Sequence, residues 1–158
     1  MSQLYDNRAY RQELLPFSVP YMTDDDGMLN ILLVEDDYSD TLLTIQRINA
    51  TQIPYNLDRI THGDDVMPYL GNCMQTRMPD LLLLDMGLPG TNGLAILEYL
   101  AHAPGPMQTI PIAIISGVRP SDKLKTDYRG LPIYGCLAKP LDIGEINPIL
   151  SRVSNFRA

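Results

Sequence analysis

The sequence predicts an α/β domain: a doubly wound, five-stranded parallel sheet with helices on both faces. Three observations predict it. Short apolar runs, at residues 31–34 and 81–84 among others, have the length and continuity of strands buried on both faces. Between them lie stretches whose apolar residues recur at helical spacing. The two kinds of segment alternate five times, and such repetition gives right-handed crossovers and a sheet covered on both sides.

Residues 1–28 stand apart from this pattern as an N-terminal arm or linker. They hold four of the eleven aromatic residues, Tyr5, Tyr10, Phe17 and Tyr21, and run through Asp24, Asp25 and Asp26 to Gly27. The cluster of Tyr10, Leu14, Leu15 and Phe17 suits a short arm that packs on the domain or on a second subunit, giving a homodimer. It suits a disordered terminus equally well.

The domain itself is expected over residues 29–154, with a tail at 155–158. After the first strand, a helix over 40–50 carries Leu42, Leu43, Ile45 and Ile48 at helical spacing. A weaker strand over 55–61 precedes a short helix over 64–70, limited by Pro68, with Val66, Met67 and Leu70 inward. The third strand, 81–84, is introduced by Pro79 and Asp80. Pro89 and Gly90 then turn the chain into a helix over 92–101 with Leu94, Ile96, Leu97 and Leu100 apolar. The fourth strand spans 110–115 and the fifth 133–138; between them only Leu124 and Tyr128 suggest an apolar face, so the fourth helix is short. The last helix is placed at 141–153, where Pro148 is expected to remove a hydrogen bond and kink the chain.

Composition narrows the function. With 158 residues, 45% hydrophobic and 20% charged, the chain suits one soluble domain with one core. A net charge of -7 argues against a nucleic-acid surface, which needs clustered Lys and Arg. The apolar runs are far too short to cross a bilayer, and the N-terminus lacks the pattern of a secretory signal. Cys73 and Cys136 give neither a disulfide framework nor metal-ligand spacing, so a cytoplasmic home is expected. The acidic runs at Asp24 to Asp26 and at Asp64 and Asp65 read as solvated faces, as does the placement of His62 and His102.

In an open parallel sheet the functional crevice lies at the carboxyl ends of the strands. Past the first strand stand Glu35, Asp36 and Asp37, and past the third stands Asp85. Ser116 and Gly117 follow the fourth, and Lys139 and Pro140 the fifth. Each has an ordinary structural reading: an aspartate as helix N-cap, Ser116 and Gly117 as a turn, Lys139 as a surface charge, Pro140 as a helix starter. Together they do not, because like charges crowded at the mouth of a sheet repel unless a cation joins them. Mg²⁺ takes oxygen ligands, commonly one or two carboxylates with waters and phosphate oxygens. Asp36 and Asp85 supply two, and a backbone carbonyl just past Asp85 a third. Lys139 neutralises what remains and Ser116 offers a donor. These are the parts for phosphoryl transfer to a carboxylate, a nucleophile that requires no general base near neutral pH.

The segments Val34-Glu35-Asp36-Asp37, Leu83-Leu84-Asp85-Met86-Gly87-Leu88-Pro89-Gly90, Ile114-Ile115-Ser116-Gly117 and Ala138-Lys139-Pro140 resemble, in order and spacing, the signatures of response-regulator receiver domains. The resemblance covers about residues 29–154 and implies the flavodoxin-like receiver fold. It implies that Asp85 is the phosphorylated aspartate, Asp36 a direct Mg²⁺ ligand, Glu35 a partner of metal-bound water and the Gly87 carbonyl the backbone ligand. Ser116 matches the switch hydroxyl and Lys139 the family lysine, with Gly87 and Gly117 as phosphoryl-binding backbone and a cis Lys139–Pro140 bond. It further implies a histidine kinase or phosphotransfer protein as donor, a downstream protein as target, and no turnover beyond the chain's own phosphorylation and dephosphorylation. With only residues 155–158 after the last helix, a stand-alone regulator is expected, bound to neither nucleic acid nor membrane.

The chain departs from the family pattern in places. Cys136 stands three positions before Lys139, where the family often has an aromatic residue, and reads as a small buried hydrophobe. The short fourth helix and Pro148 flank the usual output surface, so partner binding is expected on a different or remodelled face. Gly87 and Val118 lack the polar groups that tune dephosphorylation in the family, and slow self-dephosphorylation is expected. Two other readings remain: a phosphorylation-independent pseudo-receiver scaffold, and a Mg²⁺-dependent phosphohydrolase, which needs a substrate-closing cap.

Overall fold

The structure, a computed structural model, describes residues 27–157, so all but the last two residues of the expected arm lie outside it. Five strands, β1 (Leu29–Val34), β2 (Tyr55–Ile60), β3 (Leu81–Asp85), β4 (Ile112–Ser116) and β5 (Ile133–Ala138), form one parallel sheet in the order β2-β1-β3-β4-β5. The order reverses between β1 and β3, and this switch point opens a crevice at their carboxyl ends.

Alternation explains why the strands read as unbroken apolar runs. In β1 and β3, Leu32, Val34, Leu82 and Leu84 join one core layer; Leu29, Ile31, Leu33, Leu81 and Leu83 join the other. The first layer is covered by α2 (Val66–Cys73) and α3 (Gly93–Ala101), with α4 (Lys123–Asp127) at its margin through half-buried Leu124 and Tyr128. The second is covered by α1 (Tyr38–Ala50) and α5 (Ile143–Arg157), through Ile45, Ile48, Ile146, Ile149, Leu150 and Val153. A single helical turn, Gly105–Gln108, was not expected; it buries Met107 between α3 and β4.

The helices differ from expectation in ways that have local causes. α1 begins at Tyr38 because Asp37 caps it, accepting from the Asp40 amide at 2.8 Å. Its inward stripe is Thr41, Thr44, Ile45 and Ile48, which leaves Leu43 exposed; Thr41 satisfies its hydroxyl on the Asp37 carbonyl at 2.7 Å. Likewise Leu94 is exposed, because Gly93, Ile96, Leu97 and Leu100 form the buried face of α3. A 3-10 turn, Gly63–Asp65, leads into α2, where Pro68 is the third residue. That position has no intrahelical acceptor to serve, so proline is tolerated and the helix runs on to Cys73. α5 continues through Pro148 to Arg157, beyond the expected end at 153. Its stripe of Ile146, Ile149, Leu150 and Val153 packs on the sheet and offsets the missing hydrogen bond. Among the described residues, no helix is long and apolar enough to cross a membrane.

Candidate functional site

At the switch point, Glu35 follows β1 and Asp85 ends β3, both buried, with Asp36 exposed beside them. Carboxylate oxygens from Glu35, Asp36 and Asp85 lie within 4.8 Å of one another. Lys139 follows β5, and its long stem carries Nζ across to this cluster. Nζ donates to Asp85 Oδ2 at 2.9 Å and to Asp40 Oδ2 at 3.0 Å, and lies 2.6 Å from Glu35 Oε2. That last contact is a close, buried ion pair. Glu35 Oε1 accepts from the Asp37 amide at 3.0 Å.

Burial pushes the Glu35 carboxyl up to about 7, helped by the Asp85 charge and opposed by Lys139 and the Asp37 amide. Burial also works to lower the Lys139 ammonium, but its contacts with Glu35, Asp85 and Asp40 outweigh this and hold it above the ordinary lysine range. Three carboxylates thus surround one ammonium, with Asp36 as a fourth acidic group beside them. An all-oxygen donor set and excess negative charge suit a hard divalent cation such as Mg²⁺. Glu35, Asp36 and Asp85 are the side chains that could hold it.

The other expected site residues gather at the same edge. Gly87 is exposed, and its amide donates to Asp85 Oδ1 at 3.0 Å; a Cβ added there would meet only that oxygen, at 3.8 Å. Ser116 ends β4 one residue beyond the Asp85–Ile115 pair, and its carbonyl accepts from the Lys139 amide at 2.8 Å. Gly117 is exposed next to it, and the Lys139–Pro140 bond is cis. Of the acidic run, Asp37 has the ordinary structural role, as the cap of α1.

Four contributions were not read from the sequence. Asp40, the third residue of α1, is the third carboxylate on Lys139. Arg59 on β2 is buried and bonds the acidic turn. Asp64 and His62, expected as plain surface residues, hold the loop after Asp85. Asp64 Oδ1 accepts from the Thr91 amide at 2.9 Å and from its hydroxyl, and the Gly63 amide donates to the Pro89 carbonyl at 3.2 Å. Gly63 lies so close that a Cβ there would sit 1.6 Å from the Thr91 carbonyl oxygen, and the half-buried His62 ring packs over Gly90, whose φ is +70°. His102 is exposed, as expected.

The fourth is Arg119, three residues past Ser116. It forks onto Glu145 at 2.7 and 2.9 Å and donates to the Cys136 carbonyl at 3.1 Å. Cys136 is itself buried, and burial pushes its thiol up. A guanidinium bridge therefore links the β4–α4 loop, β5 and α5 beside this small residue.

Residues 31–151 match the family model described as the response regulator receiver domain. The transcriptional regulatory protein BaeR of Escherichia coli O6:H1 is 32% identical over 123 residues, 77% of this chain but 46% of BaeR, so the chain spans less than half of that relative. A two-component response regulator from Cytophaga hutchinsonii superposes with a TM-score of 0.71 at 22% identity, over 81% of this chain and 98% of that one. The Mn²⁺-bound form of response regulator Rcp1, a protein of Synechocystis, superposes with a TM-score of 0.60 at 23% identity, over 82% and 94%. These two structures share the fold found here.

Proposed function

From the premise that the chain belongs to the response regulator receiver family of two-component systems, we propose that it accepts a phosphoryl group on Asp85 from a histidine kinase or phosphotransfer protein. One observation carries this reading: Asp85 presents a buried carboxylate with one oxygen on Lys139 and the other on the Gly87 amide, within 4.8 Å of two further acidic oxygens. Asp85 attacks phosphorus as the donor's bond to phosphorus breaks, and the donor keeps the electron pair. Lys139 would offset charge on the phosphoryl oxygens, and the Gly87 and Gly117 amides and the Ser116 hydroxyl would donate to them. Asp36, Asp85 and the Gly87 carbonyl, with Glu35 behind a bound water, would hold Mg²⁺, which supplies charge neutralisation between carboxylate and phosphoryl group. The Mn²⁺ bound by Rcp1 supports a divalent ion here.

The test is incubation with Mg²⁺ and beryllofluoride or acetyl phosphate, read by mass and by tyrosine fluorescence. A stoichiometric adduct is expected in the wild type and none in Asp85→Asn. No adduct under any condition would leave the phosphorylation-independent scaffold as the better account. Once formed by acetyl phosphate and freed of donor, the phosphoryl group is expected to last minutes or longer. Gly87 brings no side chain to Asp85 and Val118 is 82% exposed and apolar, so neither orients a water. A half-life of seconds contradicts that expectation.

A further inference from the structure

Arg59 shares its sheet face with Tyr55 and Leu57, beneath the turn from β1 to α1. It is only 6% exposed, an unusual state for an arginine. Its Nε donates to the Glu35 carbonyl at 3.0 Å and a terminal nitrogen donates to the Asp36 carbonyl at 3.1 Å. Both carbonyls precede the first intrahelical acceptor of α1, which is Asp37, so no helical amide serves them.

We propose that Arg59 is a positioning residue for the acidic pair, a role that rests on the phosphoacceptor reading of the site. Each peptide unit is planar, so a pinned carbonyl fixes the orientation of its plane. Asp36 lies between two pinned planes, and its Cα–Cβ direction is thereby fixed toward Asp85. The Glu35 amide is tied to the Ile60 carbonyl at 2.9 Å, which anchors the other side of the turn. The rigid guanidinium fork spans two consecutive carbonyls at once. Lysine offers a point charge and lacks that geometry.

A purely electrostatic role for Arg59 predicts the opposite sign. A buried cation near a divalent-ion site disfavours the ion, so its removal would tighten binding, and lysine would behave as the wild type. The positioning role predicts that both Arg59→Lys and Arg59→Met weaken Mg²⁺ by about tenfold or more, as loss of a partner behind a metal ligand commonly does. Calorimetric Mg²⁺ titration of the full chain reads this. Amide hydrogen exchange in the metal-free proteins is the second readout: the Asp36 and Asp37 amides are expected to exchange faster in both variants. Tighter or unchanged Mg²⁺ binding in Arg59→Lys, or unchanged exchange at these amides, overturns the proposal. Should Arg59→Met fail to fold, Arg59→Lys decides alone. A wild type that binds no Mg²⁺ sinks the phosphoacceptor reading instead, and exchange in the metal-free chain still decides the role of Arg59.

Discussion

Lys139→Met is expected to destabilise the metal-free protein by about 3 kcal/mol at pH 8, because it strips the one ammonium from a set of buried carboxylates. Glu35 is fully buried and the Asp85 side chain 6% exposed, so water replaces little of what is lost. The penalty should shrink toward pH 5.5, where Glu35 takes up a proton and the repulsion falls. Mg²⁺ should restore part of the stability at pH 8, since it supplies the missing charge. Adduct formation with acetyl phosphate is expected to slow on the order of a hundredfold, the usual effect of removing one fixed donor from a developing anion. Urea unfolding at the two pH values, with and without Mg²⁺, measures the first effect. Equal destabilisation at both pH values would show that Lys139 contributes packing and not charge.

Between pH 4.5 and 7 the metal-free protein is expected to lose stability as pH rises. In that window the folded state keeps a proton on Glu35, held by burial at about 7, while the unfolded chain has released it at its ordinary value of 4.5. More protons are bound when folded, so each step up in pH favours unfolding until the folded group has also titrated. At about 1.4 kcal/mol for each pH unit, the full loss is on the order of 3 kcal/mol. The same proton opposes the metal. Apparent Mg²⁺ affinity should rise about tenfold per pH unit below 7 and then level off. Glu35→Gln should flatten the stability slope and stabilise the metal-free protein above pH 7 while weakening Mg²⁺. Calorimetric titrations and urea midpoints from pH 5.5 to 8 check both limbs, and a flat wild-type profile would show that Glu35 is already ionised throughout.

Much of the fold was legible because its signals are local. Leu81, Leu82, Leu83 and Leu84 are all fully buried, and a strand of that kind admits few environments other than the middle of a covered sheet. Helix faces were read less well: Leu43 and Leu94 are outward, while Thr41 and Thr44 lie in the core. Spacing shows which residues share a face; hydrophobicity alone does not say which face wins when a threonine can bond back to its own helix. The tolerance of Pro68 and Pro148 followed from position in the helix and from packing, which the residue type does not reveal.

The sequence by itself determined the alternation of elements, the parallel sheet and the acidic, hydroxyl and ammonium residues that stand past its strands. Tertiary structure decided which of those charges meet. Asp40, Arg59, His62 and Asp64 carry no motif, and each acts on a residue at least 23 positions away: Lys139, Asp36, Gly90 and Thr91. Coulombic and hydrogen-bonding partners across such separations are set by sheet order and crossover geometry. The proposed acceptor could therefore be named from one strand end, while the network around it emerges only when β1, β2, β3 and β5 stand side by side.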